Sequence, residues 1–413
     1  VRAALVATFR RLMRLYFRDV ERLGDRPGAE VRGRVFVCNH GNALIDPILV
    51  ITDAECVISP IAKSTLWSIP GLRWLLDQAG AVPIVRRVDR PEKSADDNAG
   101  VFERVAEHLA GGGNVLIFPE GTSHSEPQLV KLRTGAARML IAAASRGGVA
   151  PTYQAVGLEF DARSDFRSRC LILWGPVRGR GDGGVDDLTA AMAADLGDLL
   201  VKGETVDERR LVARVAELLA HGAGERSLGA WSGIGRQVEL AHRTLQATDA
   251  RLVRRVAEAV EAYYAELARR GVTDLQIAQP PGPPATTAWR RRIAIAPLAG
   301  VGYALYAIPY FVPRWIARRS DEDAVSTVKL GAALIVYPGW AAVLVAIAFA
   351  MLPAWGAIVA ALVIVASPFA ALDWLDAWYQ RTARISDQAR AGLAERRRIA
   401  LEAIAAARSE LGL

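Results

Sequence analysis

Apolar runs of strand length punctuate the first 180 residues, at 34–38, 56–59, 81–85, 115–118, 154–160 and 170–174. Between them lie stretches with helical spacing of apolar positions, such as 98–110 and 135–145. Strands alternating with helices predict an α/β domain over 34–180, built on a mostly parallel sheet. Ahead of it, in a region spanning 1–33, residues 2–18 set Arg2, Arg10, Arg11, Arg14 and Arg18 against Leu5, Val6, Phe9, Leu12, Leu15 and Phe17. That is a basic amphipathic helix, suited to a membrane surface or to packing on its own domain.

Gly181-Asp182-Gly183-Gly184 is a flexible break. Residues 185–270 hold no proline and predict helices near 186–201, 207–222 and 233–270. The block 181–275 therefore reads as a helical insertion or cap. Pro280, Pro281, Pro283 and Pro284 stiffen a linker over 276–289.

A membrane region is predicted over 290–380. Residues 330–351 and 354–372 are uncharged and separated only by Leu352 and Pro353. A bilayer core takes about 20 apolar residues per helix, so the pair predicts a transmembrane hairpin. Trp340, Trp355, Trp374 and Trp378 are candidate anchors, although Trp340 lies deep for an interface. A buried hairpin of a soluble protein is the alternative. The apolar stretch 293–312 contains Pro297 and Pro309. It has Arg290–Arg292 before it and Arg314, Arg318 and Arg319 after it. Both ends then prefer the cytoplasm, which predicts a re-entrant or interfacial segment, with a conventional span as the alternative. Lys329, Arg381 and Arg384 flank the hairpin in an in–out–in sense, and 381–413 is expected to end the chain as a polar cytoplasmic helix.

Composition sharpens this. Of the 413 residues 52% are hydrophobic and 23% charged, which excludes a disordered chain, so the apolar excess is local. Net charge is +7, but only five of the 51 basic residues are Lys. Such Arg bias fits nucleotide composition, and no motif or aromatic–basic pattern points to nucleic acid. Cys38, Cys56 and Cys170 have no metal spacing and fit a reducing compartment.

Three strings carry candidate chemistry. Asn39-His40-Gly41-Asn42-Ala43-Leu44-Ile45-Asp46-Pro47 follows a strand. A His at a strand end is placed for general base work, and a nearby carboxylate can fix its tautomer. The plain alternative is a His–Asp pair that caps a helix. Phe118-Pro119-Glu120-Gly121-Thr122-Ser123-His124-Ser125 follows another strand, with a helix expected from Thr134. Gly121 permits close approach, and the helix N–H groups with Arg133 can bind an anion. Gly80-Ala81-Val82-Pro83-Ile84-Val85-Arg86-Arg87 offers a guanidinium fork for phosphate.

In this order the strings resemble the PlsC-like glycerolipid acyltransferase family over residues 34–177. Asn39–Pro47 is similar to its first block, Gly80–Arg86 to its second and Phe118–Glu126-Pro127 to its third. Val156-Gly157-Leu158-Glu159-Phe160 is similar to the fourth, with Ala155 where a proline is usual. Ala62-Lys63 and Leu132-Arg133-Thr134-Gly135-Ala136 also fit. Ser123-His124 and Phe166-Arg167-Ser168-Arg169 resemble the yeast-type glycerol-3-phosphate and dihydroxyacetone-phosphate branch. One departure stands out: five residues separate His40 from Asp46 where the family has four. A bulged turn at Gly41 and Asn42 can absorb the extra residue, and the spacing leaves open whether His40 and Asp46 touch.

The resemblance implies a mixed sheet flanked by helices and transfer of an acyl group from acyl-CoA or acyl carrier protein to a hydroxyl of glycerol 3-phosphate. Lysophosphatidic acid is the alternative acceptor. It implies His40 as base, Asp46 as its orienting partner, Arg86 on the acceptor phosphate, and Glu120 and Gly121 shaping the acceptor site. Lys63, Arg87 and Arg133 are further phosphate candidates. No metal, cofactor or covalent enzyme intermediate is required. The expected location is the cytoplasmic face of a bacterial inner membrane. The rival of another class is an inactive, membrane-anchored lipid-binding scaffold.

Overall fold

Strands β1 (Asp19–Gly24), β2 (Arg34–Cys38), β3 (Ile58–Lys63), β4 (Val82–Ile84), β5 (Asn114–Ile117), β6 (Thr152–Phe160) and β7 (Arg169–Gly179) form one sheet in the order β1-β7-β6-β2-β5-β3-β4. Every pairing is parallel except β6 with β7. The computed structural model describes residues 1–85, 99–124, 126–279, 286–379 and 386–412. The chain divides into two units, one of residues 1–213 with 227–239 and one of residues 214–226 with 240–413.

The first unit holds the sheet and α1 (Arg2–Tyr16), α2 (Ile45–Asp53), α3 (Leu72–Gln78), α4 (Ala99–Ala110), α5 (Gly135–Ala144) and α6 (Val185–Gly197). Successive side chains of a strand face opposite ways. Val35 and Val37 of β2, with Val115 and Ile117 of β5, meet Val105 and Leu109 of α4, Met139 and Leu140 of α5, and Met192 of α6. Phe36 points to the other face, where its ring meets Trp174 edge-on at 5.7 Å. Trp174 in turn donates its indole N–H to Asp53 Oδ2 at the end of α2, at 3.0 Å. Full burial of a side chain of this size contributes about 1.5–3 kcal/mol, so both faces fix the central strands.

Three sequence expectations change. The strand expected at 56–59 runs from Ile58 to Lys63 and carries Lys63 to its carboxyl end. The region 1–33 contains a strand as well as a helix: β1 pairs in parallel with β7, Asp19 opposite Arg169 through Gly24 opposite Trp174. As an edge strand with three exposed residues at its end, it has no apolar run to reveal it. The long helix expected at 233–270 is two, α8 (Leu228–Thr248) and α9 (Ala250–Arg270), which follow α7 (Val206–Gly222). Asp249 divides them: its φ of −145° leaves the helix, and its carboxylate accepts the Arg251 and Leu252 N–H groups as an N-cap.

The second unit contains α9, the short α10 (Asp274–Ala278), α11 (Thr286–Ala317), α12 (Val325–Met351), α13 (Ala354–Tyr379) and α14 (Asp387–Glu410). Asp274 is buried and collects three side chains: His221 Nδ1 at 2.7 Å, the Tyr263 hydroxyl at 2.8 Å and Arg397 Nε at 2.8 Å. Arg390 donates to the Gln276 carbonyl at 3.2 Å. These contacts fasten α14, which follows the apolar helices, to α9 and α10, which precede them.

Helices α11, α12 and α13 each contain a segment long and apolar enough to cross a membrane. Their large side chains face outward: Ile335 is 76% exposed, Leu362 67% and Phe311 62%. An outward apolar surface of this kind suits lipid, which sets aside the buried soluble hairpin. The expected re-entrant form of 293–312 is also corrected. α11 is one continuous helix of 32 residues despite Pro297, Pro309 and Pro313, whereas a re-entrant segment needs a break. The proline linker expected at 276–289 begins inside α10, and Pro280, Pro281, Pro283 and Pro284 lie outside the described residues.

Candidate active site

The central strands align the two main strings. β2 and β5 run parallel with Val35 opposite Val115 and Val37 opposite Ile117. The same register carried past both carboxyl ends sets His40 opposite Glu120, and the His40 main-chain N–H donates to Glu120 Oε1 at 2.8 Å. Both residues thus stand where an open α/β sheet binds its ligands. The His40 ring stacks on Phe118, centroids 4.1 Å apart and planes 23° apart. Asn39 secures the other flank: its side-chain amide donates to the Leu158 carbonyl at 3.1 Å and accepts the Leu158 N–H at 2.8 Å.

His40 and Asp46 touch, with Nδ1 and Oδ2 2.9 Å apart. The same Oδ2 accepts the Asn42 N–H at 2.7 Å. Asp46 is fully buried in the first turn of α2, where the helix N-terminus favours a negative charge. A carboxylate facing Nδ1 assigns the ring proton there and leaves the Nε2 lone pair basic. The extra residue of this turn is absorbed at Ala43, which has a φ of 39°. Gly41 and Asn42, the positions expected to take the unusual dihedral, are not left-handed. The left-handed residue of this turn is Ala43 instead.

Glu120 is buried and both of its oxygens accept hydrogen bonds. Besides the His40 N–H, it accepts from the Val130 main chain and from His124 Nε2. Burial pushes its carboxyl up to about 7, against the lowering effect of the main-chain donors. Gly121 has a φ of 82°, and a Cβ there would collide with the Arg133 side chain. The position therefore needs glycine for its backbone and for its neighbour. Arg133 is pinned by its N–H to the Pro119 carbonyl at 2.8 Å, and its exposed guanidinium has no ion pair among the described residues.

Lys63 ends β3. In the β3–β5 register, Pro60 opposite Leu116 carries Lys63 level with Pro119, and Lys63 also has no ion pair among the described residues. His40, Asp46, Glu120, Gly121, Arg133 and Lys63 thus gather at one edge of the sheet. Arg86 and Arg87 lie outside the described residues. The sequence reading assigned no role to His124, although its place four residues after Glu120 on the same loop was a usable signal.

Residues 21–154 match the Acyltransferase family model. The chain is 37% identical over 83 residues, 19% of its length, to glycerol-3-phosphate O-acyltransferase 2 of Saccharomyces cerevisiae, covering 11% of that protein. It is 31% identical over 134 residues, 32% of its length, to the lyso-ornithine lipid O-acyltransferase of Pseudomonas aeruginosa, covering 46% of it. It is 29% identical over 118 residues, 29% of its length, to the chloroplastic 1-acyl-sn-glycerol-3-phosphate acyltransferase of Arabidopsis thaliana, covering 31% of it. The chain thus spans less than half of each of these relatives. The segment matched by the Acyltransferase model holds both halves of the His40–Glu120 edge, and it is this segment that is similar to glycerolipid acyltransferases.

Proposed function

We propose that this protein is a membrane-bound O-acyltransferase of phospholipid synthesis that moves a fatty acyl group from an acyl-CoA or acyl carrier protein thioester to a hydroxyl of glycerol 3-phosphate. The observation that carries the reading is the 2.9 Å contact between His40 and Asp46 beside the Glu120 turn. An alcohol is a weak nucleophile at neutral pH, so it must lose its proton as it attacks. His40 Nε2 takes that proton while the alcohol oxygen bonds to the thioester carbon. Asp46 stabilises the imidazolium that forms. The C–S bond then breaks, and the departing sulfur receives the proton back from His40. Arg86 is assigned to the acceptor phosphate, with Lys63, Arg87 and Arg133 as supporting cations. Neither step calls on a metal or a cofactor.

Glycerol 3-phosphate is favoured by the 37% identity to the yeast protein whose name carries that acceptor. A lysophospholipid acceptor is the second reading, favoured by the names of the Arabidopsis and Pseudomonas relatives. Both acceptors offered with one radiolabelled acyl-CoA to wild-type and His40→Ala membranes decide between them. Acylation of glycerol 3-phosphate that His40→Ala abolishes is the expected result. Binding of lysophospholipid with no consumption of acyl-CoA would instead return the scaffold reading.

Contacts within the second unit support a membrane arrangement. Segments on either side of the three apolar helices pack together through Asp274 with Arg397 and Gln276 with Arg390. Two segments in contact lie on one side of a bilayer, so the chain between them crosses an even number of times. We assign the crossings to α12 and α13. α11 is the less apolar, with mean hydropathy 1.5 against 2.2, and arginines stand on both sides of its apolar stretch 293–312. The positive-inside rule puts the ends of that stretch, and the catalytic residues, at the cytoplasmic face.

A further inference from the structure

His124 has no part in the reaction as derived above, yet it closes a ring of hydrogen bonds around the turn that carries His40. The His40 N–H donates to Glu120 Oε1 at 2.8 Å. Glu120 Oε2 accepts from His124 Nε2. The His124 main-chain N–H then donates back to the His40 carbonyl at 3.1 Å. A further bond sets the proton: the Glu126 N–H donates to His124 Nδ1 at 3.2 Å, so the neutral ring carries its hydrogen on Nε2, facing Glu120. The Glu120 and His124 side chains are 1% and 17% exposed, so this ring is closed largely out of water.

We propose that His124 is a positioning residue, which holds Glu120 as an ionised, fixed acceptor and through it fixes the main chain that aims the His40 imidazole. The inference deepens the acyltransferase reading and rests on it. Its physical basis is that a buried carboxylate is costly unless N–H groups surround it, and each donor favours the charged form. The main-chain donors of His40 and Val130 leave the carboxyl pushed up to about 7. The His124 side chain is the donor that a substitution can remove. The other charged or titratable groups around the ring are His40 and Asp46 from the turn before α2, Glu126 on the same loop, Arg133 against Gly121, and Arg163 beside Gly41. With Glu120 protonated, the acceptor of the His40 N–H weakens and the turn loosens. Activity should therefore fall on the acid side through the ionisation of Glu120, at a pH that His124 helps to set.

The test uses the full chain in phospholipid vesicles, with kcat/KM for acyl transfer measured across pH for wild type, His124→Ala and His124→Gln. Removal of the donor in His124→Ala is expected to move the acid limb up by about one pH unit, costing about tenfold below that limb and little above it. His124→Gln, whose amide N–H can face the same oxygen, is expected to restore most of the limb. A loss uniform across pH, or a limb that stays put, overturns the proposal, because simple packing would produce either. A second readout does not require turnover: the infrared carboxyl band that Glu120→Gln removes should titrate at higher pH in His124→Ala than in wild type. If that band moves while no variant transfers acyl groups, the positioning contact stands and the acyltransferase reading fails. If the band does not move, the positioning role is overturned whatever the activity.

Discussion

Trp340 of α12 donates its indole N–H to the carbonyl of Leu305 in α11 across 2.8 Å. In a helix that carbonyl would accept from the residue four positions later, which here is Pro309, and proline has no N–H. The same arrangement recurs at Pro368 of α13, whose absent donor leaves the Ile364 carbonyl to the Tyr306 hydroxyl at 3.0 Å. Where no water reaches, a carbonyl released by proline needs a partner from a neighbouring helix. This explains a tryptophan too deep for an interface anchor: Trp340 ties two helices together.

A double-mutant cycle checks this. Trp340→Phe alone should destabilise the apolar helices by about 0.5–1.7 kcal/mol, the range of hydrogen bonds between membrane helices. In a Pro309→Ala background the intrahelical bond returns, and Trp340→Phe should cost markedly less. Unfolding in mixed micelles provides the four free energies, and equal costs in both backgrounds would refute the pairing.

His40→Ala should lower kcat by about a thousandfold or more, and Asp46→Asn by about a hundredfold or more, since the first removes the base and the second releases its tautomer. Circular dichroism should match wild type in both variants. A burst of acyl-enzyme in either would contradict direct transfer.

Glu120 links stability to pH. In the unfolded chain its carboxyl ionises near 4.5, and in the folded chain burial holds the proton up to about 7. The native state therefore binds more protons between these values. The stability this provides is complete below the lower value and lost as pH rises through the upper one. Glu120→Gln should accordingly raise the melting temperature relative to wild type at about pH 8, by more than at about pH 4.5, while activity falls. Thermal scans at both pH values measure the difference.

Asp274 works in the opposite sense. Burial opposes its ionisation, but hydrogen bonds from His221 and Arg397 outweigh that and hold it below the usual carboxylate range. Its contribution is present above the unfolded value near 3.8 and is lost as pH falls through the folded one. Asp274→Ala strands Arg397 in a largely buried position and should cost about 3–5 kcal/mol. Limited proteolysis should then release α14 first.

The even number of crossings gives a topology test. Cysteines placed at residues 225, 321 and 410 should react with an impermeant maleimide from the same side, and one at 352 from the other. Opposite labelling of 225 and 321 would make α11 a full crossing.

Periodicity alone revealed the α/β class, because strands buried on both faces must be apolar, as 35–38 and 115–117 are. Length and absence of charge likewise revealed the apolar helices. The order of the strings around His40, Arg86 and Glu120 gave the family resemblance. Only the tertiary structure could show that His40 touches Asp46 across a lengthened turn, that Ala43 takes the left-handed conformation, that β1 joins the sheet at its edge, and that His124 faces Glu120. Burial writes itself into composition residue by residue. Register, hydrogen-bond direction and the partner of a freed carbonyl depend on groups far apart in the chain, such as Leu305 and Trp340, and local sequence carries no trace of which will meet.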